Sequence, residues 1–332
     1  MKKYTLGMIA GAMTAISATS GFAGGHGEIT VGYFLEWPMP MMVAKASGAY
    51  DEALGMKVNW VSFETGVAMS AAMASGDVQI SLSQGLPPFV VAASGGEDLQ
   101  LVDVAVSYAE NQGCAVHSDL EIDLDSAGEL AGKKVAVPLG TAAHYSFIRQ
   151  MDHFGVPLDS LQIVDMPPPE GANALAQKAV DFACGYGGGW ARMQEVGDVL
   201  LDGAAKQEIG ILVFDVTSVP ASFAAESGDT LAKFLKVTAD ANAAWAANPS
   251  DEKLAVIAKE AGMDVAAAKS AISTMSFPTI EEQLSGAWLG GTAAPFMKGV
   301  ADVFVEAGSI DSALDSYEGA LNTGPLEAAK GM

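Results

Sequence analysis

Across residues 28–186 the chain alternates short apolar runs with helix-like segments, and this alternation leaves few folds open to it. Residues 28–34, 57–63, 78–83, 101–107, 114–117, 134–138, 161–166 and 182–186 read as strands. Helical patterns fill residues 41–51, 67–75, 86–93, 144–154 and 171–180. Strands separated by helices of about 10–15 residues predict parallel sheets with helices on both faces. One more extended run, ILVFDVTSVPASF, follows Gly210. Beyond it the pattern is almost wholly helical, over residues 229–247, 251–261, 265–275, 280–288, 294–307 and 310–318. The fold class read from this is α/β with two lobes, each a mixed or parallel sheet flanked by helices, and a helical C-terminal tail packed mainly on lobe one. Lobe one takes residues 28–113 and 216–332, and lobe two takes residues 114–215. No long Gly/Ser linker joins them, so the crossings predict a hinge made of strands.

The first 23 residues read differently. Lys2 and Lys3 open the chain, residues 6–18 are apolar and small, and Gly21 and Ala23 stand at −3 and −1 of a cut after Ala23. That is the layout of a cleaved secretory signal, with an apolar core too short to span a bilayer. An anchored N-terminal helix is the alternative. Export makes a disulfide between Cys114 and Cys184 possible; two buried free thiols are the other reading. Without Lys2 and Lys3 the chain has 15 basic and 40 acidic residues, a net charge of −25. Such a charge argues against nucleic acid and anionic lipid as partners, and favours a net-neutral or cationic solute. His26, His117, His144 and His153 are scattered, so no metal site and no cofactor are expected. No Ser-His-Asp set or Gly-x-Ser-x-Gly elbow is present, so no catalytic residue is assigned.

Four segments stand where a strand gives way to a helix, the place where open α/β sheets collect ligands. Tyr33-Phe34-Leu35-Glu36-Trp37-Pro38 sets a carboxylate among aromatics, a corner suited to an ammonium group. A surface Glu36 beside a core Trp37 fits the same residues. Ser83-Gln84-Gly85-Leu86-Pro87 runs into a helix start with side-chain donors, suited to an anion or to ordinary capping. Thr141, Ala142 and His144 repeat that arrangement in lobe two. Gly187-Gly188-Gly189-Trp190 follows a strand and permits close approach, with Trp190 either a wall of the site or a core residue. Asp215 interrupts an apolar run and is a second candidate for the ammonium.

At these motifs the chain resembles the substrate-binding component of taurine (aminoalkanesulfonate) ABC importers. The resemblance rests on Ser75-Gly76-Asp77-Val78-Gln79-Ile80 and on the strand over residues 132–138. It continues through Thr141-Ala142-Ala143-His144-Tyr145-Ser146, Pro167-Pro168, residues 179–186 and Asp215. It departs at Gly187-Gly188-Gly189-Trp190-Ala191-Arg192, where the family often has Trp-Ala-Pro. The resemblance implies a type II periplasmic binding protein, monomeric and without enzymatic activity. It would capture taurine or a similar small zwitterion and deliver it to a membrane permease. A sulfonate would sit between Ser83–Gln84 and Thr141–His144, with the ammonium facing Glu36, Asp215 or both. One alternative is a cage of Tyr33, Phe34, Trp37, Tyr186 and Trp190 around a methylated ammonium such as a betaine. A second is an enzyme like the thiamine-pyrimidine synthases, which resemble this architecture but use a cysteine-rich iron motif that Cys114 and Cys184 do not form.

Overall fold

Two sheets organise residues 27–332, the part of the chain that this computed structural model describes; the expected leader over residues 1–23 lies outside the described residues. The first sheet holds β1 (Glu28–Phe34), β2 (Lys57–Phe63), β3 (Ile80–Gly85) and β4 (Leu99–Tyr108). The second holds β5 (Gln112–His117), β6 (Lys134–Val137), β7 (Gln162–Asp165), β8 (Phe182–Tyr186) and β9 (Gly197–Val199). The chain then returns to the first sheet with β10 (Phe214–Pro220) and β11 (Met275–Ser276). The orders are β11-β4-β10-β3-β1-β2 and β7-β6-β8-β5-β9.

Neither sheet is purely parallel. β1 runs parallel to β2 and β3, whereas β10 enters between β3 and β4 antiparallel to both. In the second sheet β6 is parallel to β7 and β8, and β5 is antiparallel to β8. β5 and β10, the first strands after each crossing between the sheets, are both antiparallel to their neighbours, and the short edge strand β11 is antiparallel to β4. Every residue of β3 is buried, as expected for a central strand covered on both faces. β7, at a sheet edge, is largely exposed.

One helix of the tail also reaches the second lobe. The helix Ala293–Glu306 touches both Leu86–Ser94 of the first lobe and Ala142–Phe154 of the second. Residues 310–318 form no α-helix; Tyr317 is buried there and its hydroxyl meets Ser94 Oγ at 2.5 Å. The helix Gly324–Lys330, unforeseen in the sequence, packs on Gly228–Ala247.

The crossing from β4 to β5 takes only residues 109–111, and it is tightly held. Buried Lys206 donates from Nζ to the carbonyls of Ala109, at 2.8 Å, and of Gln112. Trp190 Nε1 donates to the Glu110 carbonyl at 2.7 Å, and the amide of Gly203 donates to the Glu110 carboxylate. Burial lowers the Lys206 pKa to about 8, opposed by the nearby Glu110 and Asp202. Next to this crossing, Cys114 and Cys184 face each other across the β5–β8 pair and are joined by a disulfide. The bond closes a loop of 70 residues, for which chain entropy gives roughly 4 kcal/mol of stabilisation. Reduction, or the double change Cys114→Ser and Cys184→Ser, is therefore expected to lower the unfolding free energy by about 2–4 kcal/mol in a denaturant titration.

Candidate functional site

Asp215 lies on β10 opposite Gly85 of β3 and Val106 of β4, in the middle of the first sheet. It is 2% exposed. Its carboxylate accepts hydrogen bonds from Ser83 Oγ at 2.7 Å and from the Tyr108 hydroxyl at 2.8 Å. Ser83 Oγ in turn accepts from Trp37 Nε1 at 3.0 Å. Ser83 holds a φ of 61°, a left-handed backbone uncommon outside glycine, just where its hydroxyl bridges Trp37 and Asp215. No lysine, arginine or histidine pairs with Asp215 among the described residues. Desolvation raises its pKa to about 7, with the Ser83 and Tyr108 hydrogen bonds pulling the other way.

Aromatic rings wall this carboxylate. Trp37 meets Tyr108 edge-on at 4.8 Å, and Phe34 meets Tyr186 at 5.9 Å. With Asp215, Gly66, Gly85, Pro88, Thr141 and Ala142 they line a small cavity of about 20 Å³ between the lobes. Two helix starts reach it. In the second lobe Thr141 caps Ala142–Phe154: its Oγ1 accepts from the His144 amide and donates to the Pro138 carbonyl at 2.6 Å. In the first lobe Thr65 caps Gly66–Ala74. The first amides of each helix have no intrahelical carbonyl to donate to, and the aligned peptide dipoles add partial positive charge. Glycine is required at position 66, where a Cβ would stand 2.6 Å from Pro88 Cγ. The cavity thus counts a carboxylate, aromatic walls and two capped helix starts among its lining.

The sequence-based candidates divide. Trp37, Thr141, Ala142 and Asp215 line the cavity. Ser83 stands behind Asp215 and acts on it by hydrogen bonding. Gln84 is fully buried and engaged elsewhere: Nε2 donates to the Gly66 carbonyl and Ser70 Oγ, and Oε1 accepts from Ser218. The adjoining helix Leu86–Ser94 begins Leu-Pro-Pro, and two prolines lacking N–H leave it poor in donors. His144 points away from the cavity. Its Nδ1 accepts from the Gly140 amide, and its ring stacks on Phe304 at 5.3 Å. Burial lowers its pKa to about 4. Tyr33 packs against Trp60 and under Lys45, and Trp190 sits in the second lobe's core. Tyr108, Gly66, Gly85 and Pro88 were not among the candidates. The Thr65-Gly66 pair ahead of a helical pattern was the available signal for one of them.

Glu36 has a different partner from the one expected. Its carboxylate takes a bidentate pair from Arg192 of the second lobe, at 2.8 and 3.1 Å. A Cβ at Gly188 would run into that carboxylate, and one at Gly187 would lie 3.0 Å from the Glu36 carbonyl. Gly187 and Gly188 therefore let the Glu36 turn press onto the second lobe, while Gly189 makes room for Pro168. Tyr186 adds a second tie, donating from its hydroxyl to the Glu64 carbonyl at 2.8 Å. The Glu36 and Arg192 side chains are 34% and 39% exposed, so the pair is screened by solvent. Glu36→Gln is expected to weaken ligand affinity by no more than about fivefold, through closure alone. Titration calorimetry at low and high salt checks this, and a larger loss would return Glu36 to the ligand's own contacts.

Residues 38–252 match the family described as NMT1/THI5 like. The taurine-binding periplasmic protein of Escherichia coli (strain K12) is 26% identical over 283 residues, covering 84% of this chain and 86% of that protein. The crystal structure of the periplasmic aliphatic sulphonate binding protein SsuA from Escherichia coli superposes with a TM-score of 0.67 at 20% identity, over 87% of this chain and 95% of that one. The desulfurization enzyme DSZB superposes at 0.61 and 14% identity, over 92% and 99%. The two superpositions establish a shared type II periplasmic binding protein fold, which both binders and an enzyme use.

Proposed function

Because this chain belongs to the NMT1/THI5-like family, we propose that it is the solute-capturing component of an ABC importer. It closes its lobes on taurine or a related aminosulfonate in the periplasm and hands it to a membrane permease. The observation that carries this reading is Asp215, a buried carboxylate with no basic partner among the described residues, lining one small cavity together with two helix starts. The ammonium pairs with Asp215 against the faces of Trp37 and Tyr108. The sulfonate accepts from the first amides of the helices that begin at Ala142 and Gly66. Because the donors come from both lobes, the ligand binds the closed form better than an open one, as a ligand-driven switch requires. The taurine-binding relative, similar over most of its length, supports the ligand class.

Size bounds the affinity. Taurine has about 7 heavy atoms at no more than about −1.5 kcal/mol each. That corresponds to a Kd no lower than roughly tens of nanomolar. The same aromatic walls favour a methylated ammonium as the second reading, although Tyr33 and Trp190 stand outside the cavity. A thermal-shift screen over aminosulfonates, plain sulfonates, amino acids and betaines tests both, since a binder raises the melting point by mass action. Taurine or a close homologue should give the largest shift. A response to betaines alone would replace the ligand class, and turnover of the bound sulfonate would replace the function. Export through a cut after Ala23 belongs to the same proposal, and N-terminal sequencing of the mature protein checks it.

A further inference from the structure

We propose that Gln112, at the hinge, is a specificity-determining residue that hydrogen-bonds the polar shell of the bound solute; this rests on the reading of the cavity as a zwitterion site. Gln112 opens β5 and is fully buried, yet neither its Nε2 nor its Oε1 has a hydrogen-bond partner among the described residues. The polar side chains at or near the cavity are engaged. Ser83 and Tyr108 both donate to Asp215, Thr141 caps its helix, and Gln150 Nε2 reaches Ser146 Oγ at 3.0 Å. The other buried atom without a partner, Oδ1 of Asn242, belongs to the helix Gly228–Ala247, which contributes nothing to the cavity.

Register places Gln112 on the same sheet face as a residue of the cavity lining. Gln112 stands directly opposite Tyr186 in the antiparallel β5–β8 pair, so the two side chains share one face of the sheet. Tyr186 lines the cavity, as does Tyr108, four residues before Gln112 on the same crossing. Cys114, two residues further along that face, meets Gln150 of the helix whose first residue, Ala142, also lines the cavity. Lys206 holds the Gln112 carbonyl, so the residue is presented from a fixed backbone. A carboxamide offers two donors and an acceptor, the complement needed by a solute with sulfonate oxygens at one end and an ammonium at the other. A buried amide without partners is destabilising on its own, whereas an apolar side chain of similar shape is neutral or stabilising there.

The test compares Gln112→Leu, with Gln112→Met as a second shape-conserving variant, against the wild-type protein with taurine as probe. The expected result is a ligand-free melting temperature that is unchanged or higher, together with affinity about tenfold lower by calorimetry. A purely structural glutamine gives the opposite pattern, lower stability with affinity within twofold of wild type, and that overturns the proposal. Asp215→Asn is run in parallel. If wild type and Asp215→Asn respond as expected but both Gln112 variants bind normally, only the role of Gln112 fails. If wild-type protein ignores taurine, the zwitterion reading fails and takes this inference with it.

Discussion

Asp215→Asn is expected to weaken binding of an aminosulfonate at least 100-fold while raising the melting temperature of the ligand-free protein. The two effects have one origin. Asp215 is buried, with hydroxyl partners but no cation among the described residues. In the ligand-free protein its charge is costly, as its raised pKa of about 7 records. Asparagine keeps the shape and can still accept from Ser83 or Tyr108, so the cost is relieved. In the complex the same change leaves a buried ammonium without its counter-ion. Removing one partner of a buried charge pair typically costs about 2–5 kcal/mol, and roughly 3 kcal/mol is 100-fold. Calorimetry and differential scanning fluorimetry on the same preparation read both effects. Retained affinity in the variant would remove Asp215 from contact with the solute.

Affinity is also expected to fall about 100-fold between pH 8 and pH 5, with protons released on binding. A carboxylate with a pKa of about 7 is mostly protonated at pH 5 in the ligand-free protein. The ammonium must displace that proton, and each pH unit below 7 then costs about tenfold. The sign for folding is the reverse. Because the folded state holds the Asp215 proton more tightly than the unfolded chain does, this group favours folding at low pH, and its contribution is lost as pH rises through about 7. His144 acts oppositely. Its pKa is lowered to about 4, so the stability it contributes is present above its ordinary value near 6.5 and is lost as pH falls toward 4. The two partly cancel in the melting curve, so the binding isotherm is the informative readout. Heats measured at pH 6 in buffers of different ionisation enthalpy should report close to one proton released. An affinity flat from pH 5 to pH 8 would contradict the pairing.

The part of the site legible in the sequence was the part written in local chemistry. Thr141 before a helical pattern announced a cap, and a lone aspartate in VFDVTSV announced a charge that needed an explanation. Glu36 carried the same kind of signal and had another cause. Its partner Arg192 is 156 residues away, in reach because Gly187 and Gly188 let the second lobe come against the turn. Ser83 and Gln84 were read as donors to a ligand, but long-range partners on β10, Asp215 and Ser218, claim their side chains. Tyr108 lies just past the strand expected over residues 101–107, and its part in the cavity depends on β10 entering beside β4. The alternation of strands and helices fixed the two-sheet class. It did not reveal which strands run antiparallel, because that depends on long-range pairings such as β10 with β3 and β4. The Cys114–Cys184 bond stayed open for the same reason, as it depends on the β5–β8 register.

The most direct test of opposite poles gripped in one cavity is a pair of titrations of the wild-type protein at pH 8, with taurine and with isethionate, in which a hydroxyl replaces the ammonium. The expected result is taurine bound at least 100-fold more tightly, the order of a desolvated charge pair. Equal affinity for the two would mean that no carboxylate meets the cationic end, and would contradict the assignment of Asp215.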